Sequence, residues 1–153
     1  MPSQKYLDLF KNRPDVGLIG FNRLKATCDE AGIKLFHFIA PSQVPTSGDY
    51  YVTIGQGSDG WARDDYHTVR HRTLVLNCYA DATRDDTGAV LKEDARAKCE
   101  ALYAFLNPLL DMKTQHDWPE IISCRRAGEP QWITIPDAPS SAMLHSRYEV
   151  SVP

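Results

Sequence analysis

The feature that most constrains this chain is a long strand followed, across a short polar turn, by a long amphipathic helix. Val69 to Tyr79 reads as the longest strand, with a near-continuous apolar end at Leu74-Val75-Leu76. After the turn at Asp81-Ala82-Thr83-Arg84-Asp85-Asp86, a helix is expected from about Thr87 to Leu106. Leu91, Ala95, Cys99, Leu102 and Leu106 recur at the helical period, while Glu93, Asp94, Arg96, Lys98 and Glu100 lie elsewhere on its surface. Pro108 is expected to stop it soon after. A helix with one apolar stripe must bury that stripe, and a half-buried sheet is the surface on offer.

The rest of the chain supplies that sheet. Ser3 to Gly32 reads as helical in two pieces broken at Pro14, with Asp15 capping the second and Gly32 ending it. Leu18, Phe21, Leu24 or Lys25, and Cys28 recur on that second piece, where Gly17 and Gly20 are each unfavourable by ~1 kcal/mol. Ile33 to Ile39 and Tyr50 to Ile54 read as strands joined by the connector Pro41–Asp49. Ile121–Arg126 and Gln131–Ile135 suggest a hairpin around Ala127-Gly128-Glu129-Pro130. Ser146–Val152 alternates Tyr148, Val150 and Val152 against Arg147, Glu149 and Ser151, so one face of its sheet is expected to stay wet. The expected class is α+β: a mostly antiparallel sheet of hairpin-linked strands, one long helix packed across one face, and an N-terminal helical segment. Length implies one domain over 1–153, with the helical segment at 1–32 and the sheet and long helix at 33–153. A chain of this size can bury about two-thirds of its surface, so its core needs no staple.

Charge and spacing exclude several functions. Seventeen Lys and Arg against twenty Asp and Glu leave −3, so no basic excess points to nucleic acid or to an anionic membrane. No apolar run approaches the ~20 residues of a membrane span, and the start lacks a signal peptide's apolar core. A soluble, cytoplasmic protein is the expectation. Cys28, Cys78, Cys99 and Cys124 form no C-x-x-C pair and read as reduced core thiols. His67 and His71 are four apart, a metal spacing on a helix, but on a strand four residues span ~13 Å, too far for one ion. Gly55-Gln56-Gly57-Ser58-Asp59-Gly60 matches a dinucleotide fingerprint by letters, yet no helical period follows it to receive a pyrophosphate. It reads instead as the start of a long glycine-rich hairpin loop, Gly55 to Tyr66. The adjacent pairs Asp64-Asp65 and Asp85-Asp86 diverge rather than converge on one bond. No catalytic, cofactor-binding or metal-ligating set emerges.

The progression from Arg72-Thr73-Leu74-Val75-Leu76-Asn77-Cys78-Tyr79-Ala80-Asp81, through the amphipathic helix and Ile121–Arg126, to Arg147–Val152 resembles the tail terminator proteins of long-tailed bacteriophages. It is similar more broadly to the small head–tail connection, or neck, proteins, and the likeness spans roughly Lys34 to Val152. The resemblance implies a structural virion protein, not an enzyme, assembled in the host cytoplasm. It implies a ring, commonly a hexamer, on the head-proximal end of the tail tube, where it stops polymerisation and joins the head connector. The implied partners are further copies of itself, the tail tube protein and a connector or stopper protein, with DNA passing the lumen without specific binding. Six subunits at −3 each carry −18, which suits a lumen through which DNA slides. A ring needs a heterologous interface that closes, which strand edges and a projecting hairpin can supply. Within the loop, Gly57, Asp59, Trp61, Arg63, Asp64 and Tyr66 are the expected interface residues, Trp61 foremost as an aromatic on a glycine-rich excursion. Two other readings stay open: a stopper or adaptor of the neck, and a small enzyme using His67, His71 or Asp64.

Overall fold

A cap residue at each end sets the first described helix; the helical piece expected from Ser3 to Pro14 lies outside the described residues. The computed structural model describes residues 15–37, 50–57, 70–82, 87, 92–135 and 140–153. In it, α1 runs Val16–Ala31; the Asp15 carboxylate accepts from Leu18 N, and Gly32 closes the helix at φ 73°, a left-handed turn that favours glycine. The two glycines that weaken this helix on paper are what seat it. A Cβ at Gly17 would lie 2.6 Å from the backbone nitrogen of Gln56, and one at Gly20 would lie 2.8 Å from Ile54 Cδ1. Close helix–sheet approach outweighs helix propensity here. Leu24 and Cys28 are buried as expected, whereas Leu18 points outward and is 47% exposed.

Among the described residues seven strands follow: β1 Leu35–His37, β2 Tyr50–Gln56, β3 Arg70–Asp81, β4 Lys113–Thr114, β5 Ser123–Arg126, β6 Gln131–Ile133 and β7 Ser141–Val152. They form one mixed, mostly antiparallel sheet in the order β1-β2-β3-β7-β5-β4, with β6 also paired to β7. The α+β class therefore holds. Two expected hairpins do not. β1 pairs β2 in parallel, and the twelve residues between His37 and Tyr50 leave room for the crossover such pairing needs. β5 and β6 pair not with each other but both with β7, end to end along one edge: Ser123–Arg126 against Ser151–Tyr148, then Gln131–Ile133 against His145–Met143. Four residues, Ala127 to Pro130, face only Ser146 and Arg147, so the segment read as a turn is an outward bulge in one interrupted strand. β7 begins five residues earlier than its clean alternation suggests, and β4 had no sequence signal.

The second helix, α2, is described over Lys92–Leu110. Ala95, Cys99, Leu102 and Leu106 are buried as the period requires, and Leu110 extends the stripe by another turn. Leu91 lies outside the described residues. Pro108 stands inside the helix rather than ending it. It occupies the exposed side, where water can take the carbonyl it leaves unpaired. Arg23 of α1 fastens this end: its Nε donates to Leu109 O at 3.2 Å, its Nη1 to Asp117 O at 3.1 Å, and its guanidinium lies over the buried Trp118 ring.

Both described helices cover the same face of the sheet. Gly20 packs on Ile54 and Leu74, and Cys99 Sγ donates to the carbonyls of Cys78 and Ala142. Leu74, Leu76, Cys78 and Ala80 share one side of β3 by strand alternation. The core is the layer between them, joined by Val52, Leu144, Tyr148 and Val150. Tyr148 donates to Asn107 Oδ1 at 2.7 Å, giving its buried hydroxyl a partner on α2.

Candidate assembly surface

The root of the glycine-rich excursion is more ordered than its composition implies. Gly55 and Gln56, expected in the loop, continue β2 opposite Val75 and Leu74, and Gly57 N donates to Thr73 O at 2.8 Å. Side-chain space at Gly57 is closed by the methyls of Thr73 and Val75, each 3.1 Å from a notional Cβ. Gln56 Oε1 accepts from Val16 N at 3.2 Å, so the hairpin root is tied to the start of α1. Of the six expected interface residues, Gly57 alone is among the described ones. Asp59, Trp61, Arg63, Asp64 and Tyr66 lie outside them, as does His67 of the suspected histidine pair.

The face opposite the helices carries a second set of residues. Phe36, Tyr51 and Tyr79 form an aromatic run across β1, β2 and β3, with Tyr51 and Tyr79 stacked at 4.7 Å and Phe36 edge-on to Tyr51 at 5.8 Å. Further along, His145 Nδ1 lies 2.7 Å from Asn77 Oδ1, and Arg125 pairs with Glu149 at 3.2 Å. At the sheet's sides stand exposed apolar residues that the sequence reading did not single out: Phe36 on β1, and Trp132 and Ile133 on β6. Arg96 of α2 lies over the Trp132 ring, 5.3 Å from its centroid. The signal for the latter two was present, because Trp132 and Ile133 are consecutive apolar residues, one on each strand face, as a central or an interface strand carries.

Among the described residues the titratable groups do not converge. All four cysteines are buried. Burial pushes the Cys28 thiol up to about 11 and those of Cys99 and Cys124 up to about 12, and raises Cys78 as well, so none is poised as a thiolate. His145 is shifted below the usual imidazole range by burial and then by the neighbouring Arg147. His71 Nδ1 lies 3.0 Å from Ser151 Oγ, a nucleophile–base distance. Ser151, however, sits mid-strand with its carbonyl accepting from Ile122 N at 2.7 Å, in an extended ladder rather than at a helix start that could present an oxyanion hole. Among the described residues no group of three or more His, Cys, Asp or Glu could hold a metal ion. Two depressions of about 300 and 290 Å³, beside Tyr50 and Phe105 and beside Arg96 and Trp132, have no histidine, cysteine or carboxylate in their walls. No described helix is long and apolar enough to cross a membrane.

Compared with known proteins, the chain matches no family model, and no curated protein matches it in sequence. In structure it is similar to a chain of the "Virion of native gene transfer agent (GTA) particle", with a TM-score of 0.59 at 13% identity. The match covers 90% of this chain and 94% of that one, so the two share a fold nearly end to end.

Proposed function

We propose that this protein is a structural subunit of a phage-like virion, and specifically a tail terminator. Copies of the chain form a closed ring, six in the simplest reading, that caps the head-proximal end of the tail tube and joins it to the head connector. The observation that carries the reading is the fold likeness to a virion chain over nine-tenths of both molecules. It agrees with the sequence resemblance, which rested on the β3–α2–β5–β7 progression. The lack of a convergent polar site among the described residues fits a part whose work is done by its surfaces. A stopper or adaptor would share all of these properties and differ only in its partner.

In this reading the hairpin between β2 and β3 reaches the tube or a neighbouring copy, with Trp61 as its anchor. Ordering a segment that holds Gly57 and Gly60 is entropically costly, and burial of Trp61 against the partner offsets that cost. Trp61→Ala should leave the melting temperature within a few degrees while weakening ring formation or tube capping. A variant that unfolds, or caps as well as wild type, removes the hairpin from the contact. The terminator role itself is tested by adding the protein to polymerising tail tubes and measuring tube length by electron microscopy. Arrested elongation and binding at one tube end support it; binding to portal complexes with no effect on tubes replaces it with the stopper reading.

A further inference from the structure

The two sides of the sheet share two rows. Following the ladder from β1 to β6, Leu35 pairs Val52, Val52 pairs Cys78, Cys78 pairs Leu144 and Leu144 pairs Trp132. The next row runs Phe36, Thr53, Asn77, His145 and Gln131. β1 and β6 are thus the opposite ends of one five-stranded strip, each three residues long and sharing two rows, with a one-residue offset that sets Ile133 level with Lys34 and His37 level with Pro130. Among the described residues no strand lies outside either of them. Their polarity also matches. β1 runs with β2 and β7, and against β3 and β6. A second copy set beside the first in the same orientation therefore brings its β1 antiparallel to β6, the stronger of the two pairing modes.

Side chains agree with backbone polarity. Leu35 and Trp132 lie on the helix-covered face, and Phe36 and Gln131 on the open face, so level pairing sets like faces together. Phe36 is 38% exposed, and Trp132 and Ile133 are each 39% exposed. Edge strands of monomeric proteins ordinarily carry charges or proline at such positions.

We propose that β6 of one copy pairs antiparallel with β1 of the next, in the level register that sets Trp132 against Leu35 and Gln131 against Phe36. This is a heterologous contact, and repeated around an axis it builds a ring. The identity of the occupant, a second copy, rests on the ring reading above. The strand chemistry rests on the register alone.

The test is the double variant Phe36→Cys with Gln131→Cys under mild oxidation, read by non-reducing electrophoresis. Across one chain these positions are four inter-strand spacings apart, roughly 19 Å, far beyond disulfide reach. Between copies, directly opposed strand residues lie at a Cα separation of about 5 Å, within it. The native cysteines are buried and do not compete. The expected result is a ladder of covalent multimers from the double variant and from neither single variant. If wild type forms a ring by native mass and the double variant gives no ladder, the ring reading stands and this contact is wrong. A covalent dimer from Gln131→Cys alone overturns it too, because β6 then pairs with itself. A wild type that is monomeric at every concentration, alone and with tail tubes, removes both.

Discussion

The two faces of β3 teach what holds this molecule together and what it offers outward. Toward the helices, Leu74, Leu76, Cys78 and Ala80 are wholly buried. Toward the opposite side, Thr73, Val75, Asn77 and Tyr79 are half-buried and, Val75 aside, polar. One strand therefore has two characters by alternation. The covered face gathers the apolar area that stabilises the fold, and the uncovered face carries half-buried, largely polar side chains bonded or stacked on one another, such as Asn77 with His145 and Tyr79 with Tyr51. Substitutions on the first should change stability; substitutions on the second should change assembly or respond to pH.

The largest effect is expected at Leu106, which is wholly buried on α2. Leu106→Ala should cost about 2–5 kcal/mol by chemical denaturation, the range for a leucine replaced by a cavity. On the same helix, Lys98→Ala should cost under ~0.5 kcal/mol, since its partly exposed ion pair with Asp94 adds little. Equal midpoints for the two variants would erase the distinction between covered and outward sides.

Gly17→Ala sharpens the comparison, because helix propensity and packing disagree in sign. Alanine in an open helix is favoured over glycine by ~1 kcal/mol. Here the added carbon meets backbone of β2 at 2.6 Å, which a side-chain rotation cannot relieve. A net loss of about 1–3 kcal/mol is expected, as overpacking usually gives. A stabilised variant would mean that α1 does not sit against β2 as described.

The smallest effect belongs to the open face. His145 titrates below the usual imidazole value because burial and Arg147 disfavour its charged form. As pH falls through about 6.5, the unfolded chain takes up this proton before the folded one does. The contribution is therefore complete above that pH and lost below it. Replacing His145 with Asn should flatten that part of the acid-side decline in melting temperature. Parallel pH profiles for the two proteins would show that His145 is not held neutral.

Much of the covered face was legible in the sequence, for physical reasons. The α2 stripe, the Asp15 and Gly32 caps and the alternation of Tyr148, Val150 and Val152 are local signals, and tertiary packing reinforced each of them. What misled were features whose meaning is non-local. Gly17 and Gly20 read as helix weakeners because close approach to β2 cannot be seen from spacing. Ala127-Gly128-Glu129-Pro130 reads as a hairpin turn because a bulge and a turn use the same residues. Pairing partners, including the parallel β1–β2 ladder and the docking of both β5 and β6 on β7, follow from topology rather than from composition. At the candidate surface, sequence pointed to Trp61 and the glycine-rich hairpin, whereas the structure adds Phe36, Trp132 and Ile133 at the sheet's two sides.

The native mass of the purified protein, alone and mixed with tail tubes, tests the central claim most directly. The account predicts a discrete closed multiple of the 17.2 kDa chain, in solution or on the tube end, with the sixfold species foremost. A 17.2 kDa monomer under both conditions, or an open series of ever larger species, would contradict it.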